Sequence, residues 1–183
     1  MRFLAIILGL LLSVNLRAQA PFAPGVGFPG STAIAHDSSV IKAWATHCSV
    51  QQGYWDISRP SLGPVTYGDS TAAVGRADNQ VVSLGDSGVA TFSLLFPLSD
   101  AMGADFAIFE NSFSDDYLEL AFVEVSSNGQ DYVRFPAVSY TQDTMQTSSF
   151  GSTDPRQVHN LAGKYRGFYG TPFDLAELKD SSR

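Results

Sequence analysis

The clearest alternation of apolar and polar positions lies in the middle of the chain. Over residues 89–96, Ala90, Phe92, Leu94 and Phe96 alternate against Thr91 and Ser93, the period of a half-buried strand. Residues 81–84 read as the strand before it, and Gly85-Asp86-Ser87-Gly88 as the turn of a hairpin. Two later runs are apolar on both faces: residues 105–109, through Phe106, Ala107, Ile108 and Phe109, and residues 118–125, through Leu120, Ala121, Phe122 and Val123. Strands of that kind belong in the middle of a sheet. Asn128-Gly129 is a strong turn signal before residues 132–135, which predicts a second hairpin with Val133 and Phe135 facing inward.

The flanks read differently. Residues 21–32 are rich in Pro and Gly, and Asp37 or Ser38 is placed to cap a short helix carrying Val40, Ile41, Trp44 and Ala45. Residues 53–79 are dense in Gly, Pro, Asp and Ser, which predicts turns and short strands anchored by Tyr54, Trp55, Ile57, Leu62, Val65 and Tyr67. Residues 175–179 begin a short C-terminal helix. The fold class expected is mainly β, a β-sandwich or jelly roll with one short N-terminal and one short C-terminal helix.

The first residues follow a different logic. Met1 and Arg2 form a basic head, residues 3–14 are almost unbroken apolar sequence, and Ala18-Gln19-Ala20 is a small-x-small cleavage site. Residues 1–20 are therefore read as a secretory signal peptide, with the mature chain, 21–183, starting at Pro21 as a single domain. That apolar run is shorter than the roughly 20 residues needed to span a bilayer, and no later run reaches that length, so no transmembrane segment is expected. Cys48, the sole cysteine, lies far from the cleavage site, which excludes a lipoprotein anchor there and an internal disulfide.

Charge narrows the partners. The whole chain carries a formal -7, and losing Arg2 and Arg17 with the leader makes the mature form about −9. Such a chain repels phosphate backbones, so no nucleic-acid partner is expected. Charged residues are 16% and aromatics 12%, with 13 Phe and 16 Gly, which favours strands joined by glycine turns over a helical bundle.

Three patterns invite an enzymatic reading. Gly25, Gly27 and Gly30 match G-x-G-x-x-G, but no strand precedes them and Pro29 interrupts them, so the dinucleotide reading is rejected. Ala45-Thr46-His47-Cys48 and Gly85-Asp86-Ser87-Gly88 resemble the histidine and serine motifs of trypsin-like serine proteases, which would make His47 a base and Ser87 a nucleophile. The mature chain is too short for both barrels of that fold and Cys48 has no partner, so a turn at Ser87 and a helix end at His47 are favoured. The third pattern is the acidic group Glu110, Asp115, Asp116, Glu119 and Glu124. Two of these could serve as acid and base on a glycoside if their separation suited it. Alternatively, Glu110, Asn111, Asp115 and Asp116 form a loop rich in hard oxygen donors, a candidate Ca²⁺ site. A solvated strand-end loop is at least as good a reading as calcium.

Residues 163–173 form a glycine-aromatic loop in which Tyr165, Arg166, Phe168 and Tyr169 are candidate ligand contacts, with Lys164 as a second cation. Rings offer area at low entropic cost and the cations offer hydrogen bonds. An ordered loop packed on the sandwich is the slightly favoured alternative.

The segments Val81-Val82-Ser83-Leu84-Gly85-Asp86, Gly103-Ala104-Asp105-Phe106-Ala107-Ile108-Phe109-Glu110-Asn111-Ser112-Phe113, Glu119-Leu120-Ala121-Phe122-Val123-Glu124-Val125-Ser126-Ser127-Asn128-Gly129 and Asn160-Leu161-Ala162-Gly163-Lys164-Tyr165-Arg166-Gly167 resemble the exported bacterial proteins called simply "cell surface protein". The resemblance covers most of the mature chain. It implies a β-sandwich at the cell surface with no enzymatic activity to carry onto particular residues, and some relatives accompany outer-membrane nutrient uptake, including cobalamin uptake. Relatives have a glycine where Ser87 stands, which again favours a turn. Similar proteins continue past Phe173-Asp174-Leu175 with further strands, so the chain is expected to lack its C-terminal part. An unpaired inner strand or an apolar gap beside residues 106–109 or 120–125 is the expected sign.

The leading expectation is thus an exported, non-catalytic cell-surface or secreted module for ligand binding or adhesion, its partner a glycan, cobalamin or a protein. The alternatives are a carbohydrate-active hydrolase using the acidic group, a Ca²⁺-stabilised structural surface module, and an accessory protein in nutrient capture. No cofactor is certain, and Ca²⁺ is the one considered.

Overall fold

A computed structural model of the protein describes residues 21–145 and 151–178. The leader, residues 1–20, and Lys179 at the end of the expected C-terminal helix lie outside the described residues. Strands make up 23% and helices 9%, so the fold is β-rich. In chain order the strands are β1 (Ile34–Ala35), β2 (His47–Gln51), β3 (Val89–Ser93), β4 (Phe106–Ile108), β5 (Ala121–Phe122), β6 (Glu124–Val125), β7 (Val133–Arg134), β8 (Val138–Ser139), β9 (Val158–His159), β10 (Leu161–Ala162) and β11 (Tyr169–Phe173). They form small antiparallel sheets: β1-β11-β4, and the pairs β10-β5, β2-β3, β6-β7 and β8-β9. Among the described residues no helix is long and apolar enough to cross a membrane.

The central strand is one that the periodicity does not reveal. β11 falls in the segment expected as a loop, yet it pairs through Tyr169 and Gly170 with β1 and through Thr171, Pro172 and Phe173 with β4. Pro172 sits past the point where β1 ends, so on that side there is no ladder for its missing N–H to break. Gly170 is required by close packing: a Cβ there would meet the Phe109 ring at 2.8 Å. Phe109 in turn carries Trp44, ring centroids 5.1 Å apart.

That contact replaces the expected N-terminal helix. Residues 37–46 run as turns and extended chain, and Trp44 is held by Phe109 instead of by a helical face. Other expectations are corrected in the same way. Residues 81–84 form no ladder strand; Ser83 N–H bonds Tyr67 O and Leu84 O accepts from Gly53, so β3 takes β2 as its partner. β4 is an edge of its sheet rather than a middle strand. The run 118–125 divides at Val123, where β5 pairs with β10 and β6 turns to β7. The second hairpin forms with Val125 opposite Val133, but Val133 is exposed and only Phe135 turns inward. Phe92, Leu94 and Phe96, expected on an inner face, are exposed, and β3 ends at Ser93. The C-terminal helix is a 3-10 turn, Leu175–Leu178, started by Leu175 N–H donating to Asp105 Oδ2 at 2.8 Å.

The core joins these pieces. Val123, Phe135, Ala162 and Phe173 are buried together, with Phe106, Ile108, Val125, Leu175 and Leu178 against them. Phe106 and Phe173 stack at 5.3 Å, and Phe135 meets both rings edge-on at 5.7 and 5.1 Å, the arrangement that suits the ring quadrupoles. Outside this cluster, β5 leaves Phe122 63% exposed, covered in part by the Arg134 guanidinium 4.5 Å above its ring.

Candidate ligand-binding cleft

The turn after β10 sets the geometry. Gly163 has φ 75°, and a Cβ there would lie 1.9 Å from the carbonyl oxygen of Glu119. Only glycine lets the chain turn this tightly against residue 119. Gly163→Ala is expected to cost at least about 1–3 kcal/mol through left-handed strain alone, read as a lowered urea midpoint.

Beyond that turn, two consecutive side chains are buried. Tyr165 is 1% exposed, and its hydroxyl meets Thr32 Oγ1 at 2.8 Å. Lys164 is 4% exposed, with Nζ donating to Val158 O at 2.9 Å and lying 5.8 Å from the ring centroids of Phe22 and Tyr165. Among the described residues no carboxylate lies within ion-pairing distance of this ammonium. Burial pushes Lys164 down to about 8, with the charge of Asp154 working in the opposite direction.

Lys164 lines a cleft of about 280 Å³. Its walls come from the N-terminal segment (Phe22, Thr32), the β9–β10 connection (His159, Asn160), the end of β11 (Thr171, Phe173) and the C-terminal turn (Glu177). Phe22 stacks on Tyr140 at 5.7 Å and on His159 at 4.9 Å, with its ring nearly parallel to each. Glu177 Oε2 accepts from Asn160 Nδ2 at 2.5 Å and sits 3.4 Å from His159 Nε2, so the C-terminal turn is tied to the β9–β10 connection. Thr171 is 3% exposed, and its Oγ1 is sealed without a partner among the described residues.

The four residues expected to contact a ligand are placed differently. Tyr165 is sealed in the interior, so its ring offers no stacking platform; this corrects the expectation from the glycine-aromatic loop. Arg166 is paired with Asp115 and lies over the Tyr169 ring at 5.2 Å. Phe168 packs on His36 at 4.8 Å. None of the four lines the cleft; their neighbour Lys164 does.

The expected calcium loop is also dispersed. Glu110 Oε2 accepts from the N–H and the hydroxyl of Ser112, Asp115 faces Arg166, and Asp116 accepts from Ser114 and Ser152, whose hydroxyls hold its carboxyl below the usual range. Asn111 is half-buried beside them. Among the described residues, the carboxylates that gather are Asp100, Asp105 and Asp174, with oxygens within 4.8 Å of one another, a set suited to a hard cation. Both Asp105 oxygens already accept backbone N–H groups, from Ala101 and Leu175. Two of the three sit where β4 begins and β11 ends, and only the pairing of those distant strands brings them together.

Two further arrangements bear on chemistry. Glu119 lies beside Glu110, and burial first, then the Glu110 charge and hydrogen bond, raise its carboxyl above the usual range. Glu124 is occupied by Arg134 at 2.7 Å. His47 opens β2 opposite Ser93, whereas Ser87 lies beyond the far end of the ladder, where Gln51 faces Val89. At ~3.4 Å per residue the two are separated by more than about 14 Å. Ser87 itself is an exposed turn residue with φ 64°. No family model matches the chain, and neither the curated proteins nor the solved structures contain a match to it.

Proposed function

We propose that this chain is an exported, non-catalytic cell-surface or secreted module that binds a small ligand in the cleft at Lys164, its small sheets belonging to a β-sandwich. The leader pattern of residues 1–20 supports export. The observation that carries the binding role is the buried Lys164, a residue that lines a cleft and whose ammonium has no carboxylate partner among the described residues. An unpaired buried charge opposes folding and is uncommon unless something pairs with it. A cleft with an apolar wall and a few convergent polar groups is the ordinary form of a small-molecule site.

The test is thermal unfolding of the chain from Pro21 against glycans, cobalamin and small organic acids, with Ca²⁺ and with chelator, because anything that binds only the native state raises the midpoint. The expected result is a rise with one class of organic compound that Lys164→Met abolishes. A rise with Ca²⁺ alone would replace this reading with a cation-stabilised structural module. A rise that Lys164→Met leaves intact would move the site elsewhere.

A further inference from the structure

We infer that the ligand of the Lys164 cleft is a small organic monocarboxylate whose carboxylate pairs with Lys164 Nζ while its apolar body lies against Phe22; this rests on the binding reading above. An ammonium has three donors, and the structure shows Nζ giving one of them to a protein acceptor, the carbonyl of Val158. The flanking rings of Phe22 and Tyr165 favour a cation without neutralising it. The group that best satisfies both the charge and the free donors in a desolvated setting is an anionic oxygen, through a charge-assisted hydrogen bond.

Three features narrow the class. The volume of about 280 Å³ is at the small end for ligand clefts, so a corrinoid or an oligosaccharide does not fit as a whole. Phe22, Pro172 and Phe173 make part of the lining apolar, which suits an organic body better than an inorganic anion. Asp174 and Glu177 also line the cleft and oppose any anion away from Lys164, so the ligand's single acidic group must sit at that ammonium and a second one is disfavoured. Thr171 supplies an independent sign of an unfilled polar site, since its buried Oγ1 lacks any partner among the described residues.

The experiment uses matched pairs on the mature chain: benzoate with benzamide, phenylacetate with phenylacetamide, and cyclohexanecarboxylate with its amide, beside inorganic phosphate. Affinity is measured by calorimetry, and the ¹³Cε resonance of Lys164 is followed in the same titrations. At least one carboxylate is expected to bind ten-fold or more tightly than its amide, to shift the Lys164 resonance, and to lose that advantage in Lys164→Met. The amide comparison requires no variant, so a misfolded Lys164→Met would not obscure the result. Equal binding of acid and amide, or binding of phosphate at Lys164, would overturn the carboxylate assignment and leave the cleft as the binding site. No binding by any compound, with the Lys164 resonance unmoved throughout, would overturn both.

Discussion

Phe135→Ala is expected to lower stability by about 3–5 kcal/mol, the cost of deleting a fully buried aromatic ring. Phe135 is 1% exposed and meets Phe106 and Phe173 edge-on, so its removal empties the point where β4, β11 and the segment after β7 converge. Its backbone N–H also bonds Val123 O at 2.9 Å, at the position where the chain leaves β5 for β6. The rings that remain are fixed in paired strands and cannot collapse fully into the space, so the cavity adds to the lost transfer energy. Urea unfolding of the variant beside the wild type measures the loss. A change under about 1 kcal/mol would mean that the aromatic cluster does not hold the sheets together.

The second large effect concerns Lys164 and pH. Burial lowers its folded-state value to about 8, against 10.5 for the free side chain. Below about pH 8 the lysine is charged in both states, and the folded state bears the full penalty of burying that charge. As pH rises from about 8 to 10.5, the folded state gives up its proton first, the unfolded chain holds more protons, and stability rises. Relative to Lys164→Met, the wild type should therefore gain stability across this interval, by at most roughly 3 kcal/mol. At roughly 2–4 °C per kcal/mol for a chain of this size, the gain is visible in Tm. The Met variant also leaves Val158 O without its donor, but that offset does not vary with pH, so the slope carries the information. Parallel curves for the two proteins would show that the Lys164 ammonium is not desolvated.

The parts of the fold that could be read from the chain are those built from neighbouring residues. Asn128-Gly129 announced the β6–β7 hairpin, the alternation around Thr91 marked β3, and the apolar run at Phe106 marked β4. β11 could not be read this way, because Gly170 and Pro172 break every strand signal within it, and its partners, Ile34–Ala35 and Phe106–Ile108, lie far away in sequence. Trp44 misled for the complementary reason: with Val40 and Ile41 it matches a helical face, but a tertiary contact with Phe109 determines its position. The cleft itself was half legible. The glycine-aromatic loop contributes Lys164, Thr171, Pro172 and Phe173 to its lining, but which of the loop's side chains are buried depends on residues distant in sequence, such as Thr32 at the Tyr165 hydroxyl and Phe22 beside Lys164.

The most direct measurement is the titration of the lysine side chains by ¹³C NMR. The chain's lysines are Lys42, Lys164 and Lys179, so the spectrum is simple, and Lys164→Met identifies the relevant signal by its disappearance. The structure predicts that this signal titrates near pH 8, well below the ~10.4 of a solvated lysine, and that a carboxylate bound in the cleft moves its midpoint upward. A Lys164 midpoint at the solvated value, unmoved by any ligand, would contradict the claim that this cleft holds a buried, unpaired charge waiting for an anionic partner.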